Sequence, residues 1–148
     1  MTQMPRHVRD ALQDLMVEYA YAVDALSDID NLLDLFTDDA QVDMTAIGLP
    51  MMYGRGDIKA FFDTVFETMS HHFHFMSNYR PESWDGTVGA MTSYVIGMGR
   101  AKDGNTVTVQ VKYRMECIEQ DGTWKCRHYT ISPMMPLPGS LTEIHGEA

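Results

Sequence analysis

Asp24 and His74 are the residues whose types and settings best suit chemistry. Asp24 closes the stretch Met16-Val-Glu-Tyr-Ala-Tyr-Ala-Val-Asp24, in which Glu18 is the only other charge. A helix that is apolar nearly all round is normally buried. A carboxylate in such a place loses solvation and is driven toward its neutral form unless a partner holds its charge. The run His71-His72-Phe73-His74 offers that partner. A carboxylate and an imidazole facing one apolar pocket make an acid–base pair. The carboxylate accepts from one ring nitrogen, which fixes the tautomer and leaves the other nitrogen free to take a proton. The competing reading leaves Asp24 at a helix end, pointing to water.

The elements that must position this pair are marked by periodicity. Val8, Leu12, Leu15, Tyr19, Ala22, Val23 and Leu26 repeat at helical spacing, which predicts a helix over about 6–26. Asp24 falls off the centre of that stripe, on the flank of Val17, Ala20 and Tyr21. Ser27 suits an N-cap for a second helix from Asp28 to Phe36, ended by Thr37-Asp38-Asp39. Next come a strand over Ala40–Ala46, a short returning strand at Met51–Tyr53 and a third helix from Asp57 to Met69. Strands are then expected at about 72–83, 88–101, 106–119 and 123–133, turned by Asp85-Gly86, Asp103-Gly104 and Asp121-Gly122. Val107, Val109, Val111, Tyr113 and Met115 alternate with polar residues, as in an antiparallel sheet covered by helices on one face. Helices first and a long meander after them read as α+β. Residues 134–148 read as an irregular tail that could cover an edge or a pocket mouth.

Counting from the Asp85-Gly86 turn sets His74 opposite Gly97. His74, Met76 and Asn78 then share one face, and Phe73, Phe75, Tyr94, Ile96 and Met98 the other. The second set is the more apolar. On this count His74 reaches a pocket only through a bulge, or if the pocket lines both sets. By the same count His128 shares the apolar face with Val111 and Tyr113, as a second pocket histidine or a hydrogen-bonded core one. His71 and His72 are minor candidates.

Composition narrows the function classes. The 148 residues form one domain, with a core over about 6–133. There are 21 acidic against 11 basic residues and no Lys/Arg cluster, which argues against nucleic acid and anionic membranes as partners. No apolar run reaches a membrane span, and the N-terminus has no secretory apolar segment, so a cytoplasmic location is expected. Cys117 and Cys126 fall opposite each other across the Asp121-Gly122 turn and are expected as free, packed thiols rather than zinc ligands. No Gly-x-Gly-x-x-Gly precedes a helix, so a dinucleotide site has no support. The 13 methionines suit core filling, or an adaptable pocket for a small apolar ligand.

Tyr19-x4-Asp24, Leu35-Phe36-Thr37-x-Asp39-Ala40, Tyr53-Gly54-Arg55, His74-x3-Asn78 and Asp121-Gly122-x-Trp124-Lys125 occur in this order. Together, over about residues 8–131, they resemble the SnoaL-like branch of the nuclear-transport-factor-2-like superfamily. Its members include scytalone dehydratase, bile acid 7α-dehydratase, hexachlorocyclohexane dehydrochlorinase and isomerases, along with non-catalytic subunits of the same fold. The resemblance implies a cone-shaped, curved antiparallel sheet with three N-terminal helices enclosing a pocket. It implies a cofactor-free lyase or isomerase without a metal, acting on a small hydrophobic, aromatic or steroid-like molecule. His74 would be the base, Asp24 its orienting partner and Tyr19 a donor to a substrate oxygen. Tyr53, Asn78, Tyr94, Met98, His128 and Tyr129 would line the substrate site. The alternative is a ligand-binding or accessory protein of the same fold. A homo-oligomer, favouring a dimer through the face of Gln110, Lys112, Arg114 and Arg127, is also expected.

Overall fold

The computed structural model describes residues 3–145. Ten elements run in the order α1 (Arg6–Asp24), α2 (Ile29–Leu33), β1 (Phe36–Asp43), β2 (Met51–Tyr53), α3 (Gly54–Thr68), β3 (Met69–Trp84), β4 (Gly89–Ala101), β5 (Thr106–Gln120), β6 (Thr123–Pro133) and α4 (Gly139–His145), with a short 3-10 turn at Thr45–Ile47. The six strands form one curved, open sheet in the order β2-β1-β6-β5-β4-β3. The class is α+β, as the alternation and the helical stripes predict.

The helices bury their apolar stripes on the concave face of the sheet. Val8, Leu12, Leu15, Tyr19 and Val23 of α1 are buried at the predicted spacing, and Ile58, Phe62 and Val65 of α3 join them. Each fully buried Leu, Phe or Val contributes roughly 1.5–3 kcal/mol over its exposed state. Arg55 at the start of α3 donates from Nε (3.1 Å) and Nη2 (2.5 Å) to the Phe36 carbonyl and pairs with Asp38 at 3.0 Å. This ties α3 to the first residues of β1.

Four local expectations change. The second helix is short, and its cap is Asp28 rather than Ser27: Asp28 adopts φ 54° and its carboxylate accepts from the Asn31 N–H at 3.2 Å. Thr37-Asp38-Asp39 lies within a strand instead of ending a helix, because β1 starts at Phe36 and pairs with β6 through Phe36 and Cys126. That β1–β6 pairing is parallel, so the sheet is not wholly antiparallel. The tail is not irregular throughout: α4 forms and buries Leu141. Residues 146–148 of the predicted tail lie outside the described residues.

The meander is turned at the Asp-Gly pairs. Gly86, Gly104 and Gly122 all have positive φ, which glycine adopts without steric cost. Cys117 and Cys126 are register partners across the last turn and are buried free thiols. Burial raises the Cys126 thiol pKa well above its ordinary value, which keeps it protonated. No helix among the described residues is long and apolar enough to cross a membrane.

Candidate active site

The C-terminus of α1 and the first half of β3 meet at one end of the concave face. Asp24 Oδ1 accepts a hydrogen bond from His74 Nδ1 at 2.5 Å, and Oδ2 accepts from the His74 backbone N–H at 3.0 Å. Both carboxylate oxygens therefore hold one residue, fixing ring and backbone together. A carboxylate only accepts, so Nδ1 carries a proton, and in the neutral ring the lone pair is on Nε2. The side chains are 13% (His74) and 25% (Asp24) exposed. Asp24 is half-buried and both its oxygens bond His74, so the reading in which it simply faces water does not hold, although Tyr21 on the same flank is 72% exposed.

His74 lines a cavity together with Tyr19, Phe62, Val109, Tyr113 and Ile131. The space open to the centres of water-sized molecules is about 90 Å³. Among the described residues, no Lys, Arg, Asp or Glu lines the cavity; Asp24 stands behind His74. Room for the imidazole comes from β4. Gly97 is the register partner of His74, and a Cβ on it would lie 3.3 Å from His74 Cδ2 and 3.4 Å from Nε2. Gly99 does the same for His72, where a Cβ would lie 3.1 Å from its Cδ2.

Tyr19, one turn before Asp24 on α1, is buried in the cavity wall and meets Tyr129 and Tyr113 edge-on, with ring centroids 4.9 and 5.9 Å apart. Burial is the main cause that holds all three phenols well above their ordinary pKa, so they stay protonated at neutral pH. Tyr129 Oη is buried without a hydrogen-bond partner of good geometry, although it lies near the hydroxyls of Tyr19 and Tyr113.

A bulge does intervene, as the count required: the β3–β4 register shifts between Pro81 and Ser83 and again between Ser77 and Arg80, on the way from the turn to His74. The β3–β4 register is unbroken from His71 to Ser77, and the face carrying His72, His74 and Met76 is the concave one. The remaining expectations for the lining divide. Tyr129 is fully buried behind Tyr19 and Tyr113 and is not itself among the lining residues. Met98 touches the cavity between Gly97 and Gly99, but its side chain lies on the outer face opposite Phe73. Four assignments are overturned. Tyr53, at the end of β2, is 63% exposed because its backbone caps α3, with the Asp57 carboxylate accepting from its N–H. Asn78 is exposed at φ 55°, where the register breaks between Ser77 and Arg80. Tyr94 lies on the convex face, opposite Ser77 and Lys112. His128 is turned out beside Glu116 and Arg127 by a bulge after Glu116, which shifts the count taken from the turn.

The structure adds two histidines. His72 packs edge-on to His74, with centroids 5.2 Å apart, and its Nδ1 is 3.4 Å from the Val23 carbonyl. Burial, and then the proximity of His74 and His145, lower its pKa to about 4, so it is neutral at pH 7. His145, from α4, lines the cavity 6.3 Å from His72, and burial lowers its pKa too. The alternation of β3 already set His72 beside His74; no sequence signal pointed to His145. Asp24, His72 and His74 hold possible metal-ligating atoms within 4.8 Å of one another. A cation there would share the Asp24 oxygens that already accept from the ring and backbone of His74.

The chain superposes on a candidate aromatic ring hydroxylase from Novosphingobium aromaticivorans with a TM-score of 0.92 at 45% identity, covering 96% of this chain and 99% of that one. A candidate scytalone dehydratase from the same species gives 0.77 at 20% identity, covering 85% and 83%. A type-3 hexachlorocyclohexane dehydrochlorinase from Novosphingobium barchaimii gives 0.75 at 21%, covering 90% and 92%. At such identity these two speak for the fold alone. No curated protein matches the chain. The model of the SnoaL-like domain matches residues 6–130, and the chain belongs to that family.

Proposed function

We propose that this protein is a cofactor-free lyase or isomerase that takes a proton from carbon in a small, uncharged, ring-containing molecule. The observation that carries the reading is the bond from His74 Nδ1 to Asp24, which leaves Nε2 as a base at the wall of an apolar cavity. The proton passes from substrate carbon to Nε2, and Asp24 stabilises the imidazolium that forms. Tyr19, kept protonated by burial, donates to the oxygen on which negative charge gathers. Elimination and double-bond migration share this step. They differ in whether the electron pair then expels a leaving group or takes a proton back at another carbon. The test is a screen of cyclic alcohols, halides and enones for proton loss in deuterated water, run on the wild type and on His74→Ala. Turnover retained in His74→Ala removes the reading.

A second reading draws on the 45% identical protein named as a candidate ring hydroxylase. Here Asp24, His72 and His74 would hold a divalent cation, a two-histidine, one-carboxylate set. Equilibrium dialysis against Fe²⁺, Mn²⁺ and Zn²⁺, with retention lost in His72→Ala, would favour it over the acid–base reading. Accessory or ligand-binding use of the same fold would instead predict ligand uptake with no turnover in the proton-loss screen.

We also propose self-association, through the convex face of β3 and β4. Phe73 and Phe75 are 53% and 55% exposed there, beside exposed Tyr94, Ile96 and Met98. This shifts the expected interface away from Arg114 and Arg127, whose guanidinium groups pair within the chain with Glu82 (2.5 Å) and Glu116 (2.7 Å). A monomeric mass by light scattering at working concentration would argue against it.

A further inference from the structure

One part of the cavity wall is α4, a short terminal helix that contributes Leu141 and His145. Every other lining element belongs to the sheet, to α1 or α3, or to the loop between β1 and β2. The remaining space, about 90 Å³, is smaller than the roughly 150 Å³ of a protein cavity known to take up benzene. A ring therefore enters only if part of the wall gives. The short helix α4 is one such part: it packs mainly on β5, with His145 beside His72 of β3 and Thr142 near Gly48, and its chain connection is the segment 134–138, with three residues between Pro133 and Leu137 exposed.

His145 is the polar group this helix brings. Its ring stands at the histidine end of the cavity, next to His72, and no hydrogen bond to another described residue engages it. The His74 Nδ1 edge is occupied by Asp24, and His72 Nδ1 faces the Val23 carbonyl. With both of those Nδ1 atoms engaged, the Nε2 atoms of His72 and His74 are free to accept, and among the described residues His145 supplies the uncommitted imidazole N–H donor there. The absence of any Lys, Arg, Asp or Glu from the lining, among the described residues, points to the ligand class. An anion or cation would be desolvated without a counter-charge, whereas an uncharged oxygen needs only a hydrogen bond.

We propose that His145 is a substrate-contacting residue: carried on α4, it donates an N–H to an oxygen of an uncharged, single-ring ligand. The inference rests on the base reading of His74 for what happens next. When His74 removes a proton from the carbon beside a carbonyl, the electron pair moves onto the carbonyl oxygen, and the N–H of His145 meets that charge together with Tyr19. A neutral imidazole does this without first having to lose a proton of its own to solvent.

The experiment measures binding without turnover, so it separates this inference from the base reading. Cyclohex-2-enone and cyclohexene are titrated by NMR into the full chain, as wild type, His145→Phe and His145→Gln. The wild type should prefer the enone. His145→Phe should lose about tenfold in enone affinity, the size of one good hydrogen bond, with cyclohexene unchanged. His145→Gln keeps an N–H donor and should stay within about threefold of the wild type. Equal enone affinity in His145→Phe and the wild type overturns the proposal, as does a glutamine variant as weak as phenylalanine. So does a wild type that binds neither probe. Loss of turnover in His74→Ala tests the base alone and leaves this result standing either way.

Discussion

The two faces of the β3–β4 pair carry opposite kinds of side chain from those a simple inside-outside rule assigns. On the concave face stand His72, His74 and Met76, with Gly97 and Gly99 opposite the histidines. On the convex face stand Phe73, Phe75, Tyr94, Ile96 and Met98, all exposed. The chemistry-bearing side faces in because α1 delivers a carboxylate to it. The apolar side faces out and is left in want of a cover. A strand's alternation separates two sets of residues; it does not say which set is inside when both carry apolar side chains.

The contrast between the faces breaks first at the base. His74→Ala should lower kcat/KM by about 10²–10⁴ on any substrate found, with the melting temperature little changed; steady-state kinetics decides. Asp24→Asn leaves the shape intact but removes the charge that supports the imidazolium, and should reduce kcat by about 10² with a smaller change in KM.

Acid sharpens it next. His72 has a folded pKa of about 4 against 6.5 unfolded, so the unfolded chain binds more protons between those values. Stability is full above pH 6.5 and falls as pH drops toward 4, by up to about 3 kcal/mol from this group. His145 shifts in the same direction and adds to the slope. In His72→Gln, urea unfolding monitored from pH 7 to pH 4 should show a shallower decline. An unchanged slope would mean that the concave face tolerates charge after all.

The convex face gives the smallest effect on the fold. Phe73→Ser combined with Phe75→Ser should change monomer stability by about 0.5 kcal/mol or less, as exposed positions do, and leave turnover intact. It should convert an oligomer to monomers by light scattering. If turnover fell with the mass, the two faces would be coupled rather than separate.

Much of this was legible in the chain. The spacing from Val8 to Val23 marks α1, the three Asp-Gly pairs mark the hairpins, and Asp24 with His74 stand out by type. What escaped depends on tertiary detail. Thr37-Asp38-Asp39 is too polar to read as a strand, yet pairing to β6 makes it one. Tyr94 is apolar by composition and exposed by placement. His128 is turned out by a single-residue bulge that no count from the turn reveals. A seven-residue helix after a proline-rich stretch, α4, carries too few turns for periodicity to show.

The glycines opposite the histidines have one more consequence, for how this protein would respond to mutational scanning. Replacing a residue by alanine ordinarily deletes a side chain. At Gly97 it adds one, within 3.3 Å of the His74 ring. The added methyl would meet His74 Cδ2 and Val109 Cγ2, each at 3.3 Å, so the ring or the valine must give by a few tenths of an ångström, and a shift of the ring against its carboxylate is expected to show as lost activity rather than lost fold. A scan for loss of activity would score that position beside His74 itself, and a catalogue of conservative exchanges would pass over it.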